Sequence, residues 1–310
     1  MSTPHLPPVP PVPPASPASP VPPLFRALFD DAAVFPPGDL PLVEAVPAHL
    51  AHRSAWYAES VGPFLCGAGR LGALAGLLDG PLAGPAAGSA EAAGPLRVGL
   101  VLPGGSPNLA EALKAAAPFR LAAVELVAAD VRECVTVLDD LLPAGTTAYL
   151  ELPRDSRVED ALDILAGTPY RAKFRTGGLT AEAFPGVYEL AGALMACAER
   201  AVPYKCTAGL HHAVRHTDRL TGFEHHGFLN VLLAALAARD GDRTGTADAL
   251  RERSGDILAD AAGRLTEDQV SFARASFTSF GTCSIAEPLD DLAALGLLTT
   301  SPPPPHLEDR

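Results

Sequence analysis

Short apolar runs alternate with amphipathic helical stretches along most of this chain, and that alternation limits its fold more than any other feature. Runs that read as strands fall at residues 62–66, 97–103, 122–128, 147–153, 171–176, 203–207 and 279–284. Helical patterns lie between them at about residues 107–117, 131–142, 157–166, 180–200, 223–239 and 266–277, and a last one at about 287–297. A strand–helix–strand succession with short connections predicts parallel neighbours, because parallel strands need a crossover. The number of units favours closure, so the expected fold is α/β, a (β/α)8 TIM-type barrel. An open doubly wound sheet is the alternative, weakened by the lack of a G-x-G-x-x-G segment after the first strand. Seven strands are plain. The barrel's seventh strand is expected to be degenerate and near residues 256–263, where Ile257-Leu258-Ala259 is a faint apolar run. Residues 24–60 are expected to cap one end of the barrel.

The two ends of the chain read differently. Residues 1–23 hold eleven prolines, and residues 299–310 include Pro302-Pro303-Pro304-Pro305. Proline fixes φ and removes amide donors, so both segments are expected to be extended, solvated tails, the first of them dispensable. Residues 80–95, rich in Gly, Ala and Pro, are expected to form a surface loop. A single domain over 24–298 is the resulting division.

Bulk properties exclude some partners. Net charge is −13 and pI about 5.1, with no basic stretch, which argues against nucleic acid. No run of about 18 apolar residues suggests a membrane span, and no basic segment followed by an apolar run suggests a secretory signal. The five cysteines are scattered without a C-x-x-C pair, which fits a reducing cytoplasm better than a disulfide framework. A homo-oligomer is compatible with all of this.

The chain has twenty arginines but only three lysines, Lys114, Lys173 and Lys205. Where arginine is the habitual cation, a retained lysine points to chemistry that arginine cannot do. Lys114 sits in a polar helical stretch. Lys173 and Arg175 share one face of the run 171–176, and Lys205 and Thr207 share one face of the run 203–207, since side chains alternate along a strand. The opposite residues are Ala172, Phe174, Tyr204 and Cys206, which suit the helix side, so the cations are expected to point into the barrel mouth. By the same parity Glu125 and Glu151 face inward. Two neighbouring inward lysines repel, and burial adds to the effect, so at least one ammonium is expected to have a lowered pKa. Lys205 is then the candidate amine nucleophile, with Lys173, His211, His212 and Glu151 as catalytic partners. Arg175, Thr176, Gly177, Gly178, Thr207, Glu125, Asn230 and Ser284 are the candidate substrate-binding residues, and the substrate a small anion. Pairing of Lys173 and Arg175 with carboxylates on the two preceding strands is the structural alternative.

Lys205-Cys206-Thr207-Ala208-Gly209 resembles the Lys-Thr-Ser-Thr-Gly segment on the sixth strand of deoxyribose-phosphate aldolases. The resemblance covers about five residues. It implies a Schiff-base role for Lys205. That family's second lysine lies on the following strand, whereas Lys173 lies on the preceding one. As a whole the chain resembles a bacterial family without an established activity, through Phe35-Pro36-Pro37, Ala208-Gly209-Leu210-His211-His212 and Phe280-Gly281-Thr282-Cys283-Ser284.

Five of nine histidines cluster as His211, His212, His216, His225 and His226, with Glu224 among them. Acid–base work is one reading, since imidazole titrates near neutrality. A divalent metal held by His211, His212, His225, His226 and Glu224 is another, although the spacing matches no established metal signature. Loop-bracing histidines are the third. No cofactor is expected on the first reading. Cys283 is a further nucleophile candidate, and Asp31 is expected to cap a helix or reach the site. The expected activity is that of a lyase, aldolase or isomerase acting on a small anionic carbonyl compound. A metal-dependent hydrolase or isomerase and a non-catalytic ligand-binding barrel are the alternatives.

Overall fold

A computed structural model describes residues 19–80 and 95–299. Among them eight parallel strands close into a barrel: β1 (Phe29–Asp31), β2 (Val61–Gly67), β3 (Arg97–Leu102), β4 (Arg120–Val127), β5 (Thr147–Glu151), β6 (Arg171–Arg175), β7 (Tyr204–Thr207) and β10 (Phe277–Thr282). Each strand pairs with its successor, and β10 pairs with β1 to complete the ring. The chain is therefore a (β/α)8 barrel, with β8 (His216–Thr217) and β9 (Glu224–His225) forming an antiparallel hairpin above β7.

The outer strand faces carry apolar residues. Val124, Leu126, Leu150, Ala172, Phe174, Tyr204 and Cys206 are all buried. Against them pack helices such as α3 (Leu109–Ala116), α4 (Val131–Leu141), α5 (Val158–Leu165) and α6 (Val187–Glu199). Helix starts follow local chemistry. The Asp130 side chain accepts from the Arg132 and Glu133 amides at the start of α4. After β9 come α7 (Phe228–Arg239), α8 (Arg243–Arg251), α9 (Gly255–Gly263) and α10 (Glu267–Ser276). A final helix, α11 (Ala286–Ala294), follows β10. Among the described residues no helix is long and apolar enough to cross a membrane.

Three expectations change. The run 256–263 is helix α9, not the missing strand; Ser254 caps it, accepting from the Ile257 amide. The missing strand is β1, inside the segment expected to be a cap, so the barrel count moves up by one and Lys173 lies on the sixth strand and Lys205 on the seventh. Third, the segment expected to be a dispensable tail reaches into the core: Val21 is fully buried, and Arg26 Nε donates to its carbonyl at 3.2 Å. Residues 1–18 and 300–310 of the expected tails, and 81–94 of the expected loop, lie outside the described residues.

Candidate active site

Strand register sets the site. Glu151 lies beside Lys173, Lys173 beside Lys205, and Lys205 beside Ser279. Asp30 on β1 completes the ring from the other side. Its neighbour Asp31 points outward, where its carboxylate meets His49 Nδ1 at 2.9 Å and accepts from the Ala33 amide. His49 belongs to α1 (Leu42–Ser54). Asp31 thus braces the barrel wall, and Asp30 is the residue that enters the interior.

The inward charges form one ladder of alternating sign. Lys205 Nζ lies 2.5 Å from both Asp30 Oδ2 and Glu125 Oε1. Lys173 Nζ lies 2.8 Å from Glu125 Oε2 and 3.1 Å from Glu151 Oε2. Arg175 Nε meets Glu151 Oε1 at 3.0 Å. Ser279 donates to Asp30 at 2.7 Å, and the Tyr149 ring centre lies 5.2 Å from Lys205 Nζ. Three cations and three carboxylates therefore cancel, which is the structural alternative read from the sequence.

The expected drop in lysine pKa does not occur at Lys205. Burial alone would lower its ammonium, but the Asp30 and Glu125 carboxylates outweigh burial and hold it well above the ordinary lysine value. Glu125 responds in kind. Burial would raise it, yet the two ammonium groups beside it bring its carboxyl down to about 2. Strand parity correctly pointed both lysines inward, but their mutual repulsion is cancelled by Glu125, which touches both.

Above the ladder opens a cavity of about 620 Å³. Its floor includes Lys173, Glu125 and Glu151, and its rim includes Arg175, Gly178 and Thr207. Lys205, fully buried, lies beneath it. The lysine that faces the cavity is therefore Lys173, and Lys205, the expected nucleophile, does not line it. Arg175 is partly exposed, and its terminal NH1 and NH2 make no hydrogen bond among the described residues. Apolar walls come from Phe35, Pro36, Pro37, Leu65 and Phe184. A smaller, apolar cleft of about 200 Å³ between α6, α7 and α10 lies on the helix side of β7, away from these charges.

Other expected binding residues hold the frame instead. Thr176 is fully buried and donates to the Ala208 carbonyl at 2.5 Å, joining the loops after β6 and β7. Gly177 and Gly209 touch backbone to backbone: a Cβ on Gly177 would lie 2.7 Å from Gly209 Cα. The helix expected from residue 180 begins later, at Val187 of α6, so no long helix starts beside Arg175. Asn230 is buried in α7, where it accepts from the Arg215 amide and donates to the Ala249 and Glu252 carbonyls. Ser284 accepts from the Glu287 amide at the start of α11.

The histidines divide. His211, His212, His216 and His225 line the cavity. His211 Nδ1 meets Glu287 Oε2 at 3.0 Å, and Cys283 Sγ stands 3.6 Å away. Burial opposes charge on His211, but its contacts with Cys283 and Glu287 prevail and push the imidazole up to about 9. His212 is raised by its 3.1 Å pairing with Asp291. His225, held by the Gly209 carbonyl, is lowered by burial. His226 is fully buried and stays neutral: Nε2 faces the Pro185 carbonyl and Nδ1 faces Arg215, and burial brings it down to about 4. Glu224 binds Arg215, Arg253 and Thr217 away from the cavity. His226 and Glu224 therefore leave the alternative metal set, and among the described residues no three His, Cys, Asp or Glu side chains are grouped to hold a metal ion.

Asp30 escapes a reading by periodicity because Leu28-Phe29-Asp30-Asp31 lacks the apolar alternation of a strand; its sequence clue is that two inward lysines need more than one carboxylate. The chain matches no protein-family model, no curated protein and no solved structure.

Proposed function

We propose that this barrel is a lyase of the aldolase type, or an isomerase working through the same intermediate, for a small anionic carbonyl compound. The observation that carries the reading is Lys173 on the cavity floor, with Glu125 and Glu151 both within 3.1 Å of its amine nitrogen. An amine must shed a proton to attack a carbonyl and must pass protons again as water leaves. Glu151, which also opens to the cavity, is the nearer route to solvent, since its side chain keeps some exposure whereas Glu125 is almost wholly buried. Lys173 would add to the substrate carbonyl carbon and expel the oxygen as water. The resulting iminium nitrogen would draw the electron pair of the neighbouring C–C or C–H bond. Arg175 at the rim and the protonated His211 supply the positive charge for an anionic group. His212 and His211 are in position to move protons at the outer end.

The recount of strands also supports the reading. The aldolase family resembled by the Lys205 segment keeps its Schiff-base lysine on the sixth strand and its second lysine on the next. Counted round the closed barrel, those positions are Lys173 and Lys205. Lys205 then acts as the buried cation that keeps Glu125 ionised. The test is borohydride reduction of the full chain with a panel of small aldehydes and keto acids, read by peptide mass spectrometry. We expect an adduct on Lys173, abolished in Lys173→Arg. Absence of any adduct across the panel would reduce the barrel to a binding protein, and an adduct on Lys205 would reverse the two lysines.

A further inference from the structure

We propose that Cys283 is the nucleophile of a second reactive centre at the barrel mouth, one that captures small aldehydes as thiohemiacetals with His211 as its proton carrier. Cys283 follows β10 directly and lines the same cavity of about 620 Å³. Its Sγ lies 3.6 Å from His211 Nδ1 and 4.0 Å from Nε2, within reach of both ring nitrogens. Glu287, in the first turn of α11, orients the ring through Nδ1 at 3.0 Å. A thiol, an imidazole and an orienting carboxylate in contact at a cavity wall are the parts of an activated nucleophile.

The other cysteines underline the contrast. Cys66, Cys134, Cys197 and Cys206 are buried, and Cys283 is the partly exposed one. Burial pushes the Cys66 thiol up to about 11 and raises Cys134, Cys197 and Cys206 as well. The groups facing His211 are Glu287 from α11, Cys283 and Thr282 from the end of β10, and His212 and His225 from the segment after β7. In the reaction the S–H bond breaks with its proton passing to solvent, the sulfur–carbon bond forms and the carbonyl π pair moves to oxygen. Protonated His211 gives a proton to that oxygen and recovers one from solvent. No oxidant or reductant is consumed, and the bond reverses by the same path. The inference shares the carbonyl substrate class with the reading above but does not require Lys173.

The test labels the full chain with iodoacetamide at pH 7 and follows each cysteine by peptide mass spectrometry. Cys283 is expected to react roughly tenfold faster than free cysteine, while the four buried thiols stay unlabelled until the chain unfolds. His211→Gln should remove the advantage. Glu287→Gln, at a partly exposed position that leaves the core intact, should reduce it several-fold. Propanal or glycolaldehyde added beforehand should slow the labelling of Cys283, and should still do so in Lys173→Arg, which keeps the ladder's charge. Labelling at the rate of free cysteine, unchanged in Glu287→Gln, would overturn the proposal. So would aldehyde protection that vanishes in Lys173→Arg, since the aldehyde would then be reporting on the amine alone.

Discussion

Glu125 shows how one side chain can decide the state of several others. It is almost wholly buried, yet each of its oxygens meets a different lysine. Without it, two ammonium groups on adjacent strands would face each other in a dry interior. The same dependence runs back through Lys205, which serves Asp30 and Glu125 together. Removing one partner of a buried ion pair leaves an uncompensated charge, at a cost of about 3–5 kcal/mol. Lys205→Met should therefore destabilise the fold by about that amount in a urea titration. Adding Asp30→Asn should recover part of the loss, because the two sites share one interaction. Additive losses would mean that the pair is not coupled. At this scale strand parity was enough to bring Lys173, Lys205, Glu125 and Glu151 to one interior. It could not tell which lysine faces the cavity, since that depends on height along the barrel axis, set by register between strands distant in sequence.

Among the elements, β1 is the most informative. Its three residues include two aspartates, a composition that normally marks a turn or a cap. Each carboxylate has its own buried partner, Asp30 inside the barrel with Lys205 and Asp31 outside with His49. Those partners lie far along the chain or in the next helix, so local periodicity carries no trace of the strand. Residues 256–263 imitate an eighth strand only because their apolar run sits on a helix face. The neighbouring strand adapts to β1. Gly62 on β2 packs so closely that a Cβ there would lie 2.0 Å from Asp30 Oδ1. Asp30 cannot swing away without breaking its bonds to Lys205 and Ser279. Gly62→Ala should accordingly cost about 1–3 kcal/mol by overpacking, measured by chemical denaturation. Gly72→Ala in α2 (Leu71–Asp79), where nothing lies within 4 Å of the new methyl, should be neutral or mildly stabilising. Equal effects at the two positions would show that the close approach at Gly62 carries no energetic weight.

For the molecule as a whole, the barrel begins earlier than its proline content suggests. Val21, Leu24 and Phe25 are buried, and the Phe25 amide donates to the Pro22 carbonyl at 2.9 Å. A chain starting at Leu24 should be less stable than one starting at Ser19 by about 2 kcal/mol, the order expected for withdrawing one buried valine. Equal melting temperatures would show that the segment only rests on the barrel. The charge ladder has a wider consequence, for how ligands arrive. Six charges that cancel over neighbouring side chains produce a field that fades within the cavity, and salt screens what leaks out over about 8 Å. The surrounding chain carries a net −13. An anion in solution is therefore not steered toward this mouth and meets a weakly repulsive surface instead. Encounter is left to plain diffusion, added salt should quicken capture rather than slow it, and selection happens only on contact with the rim.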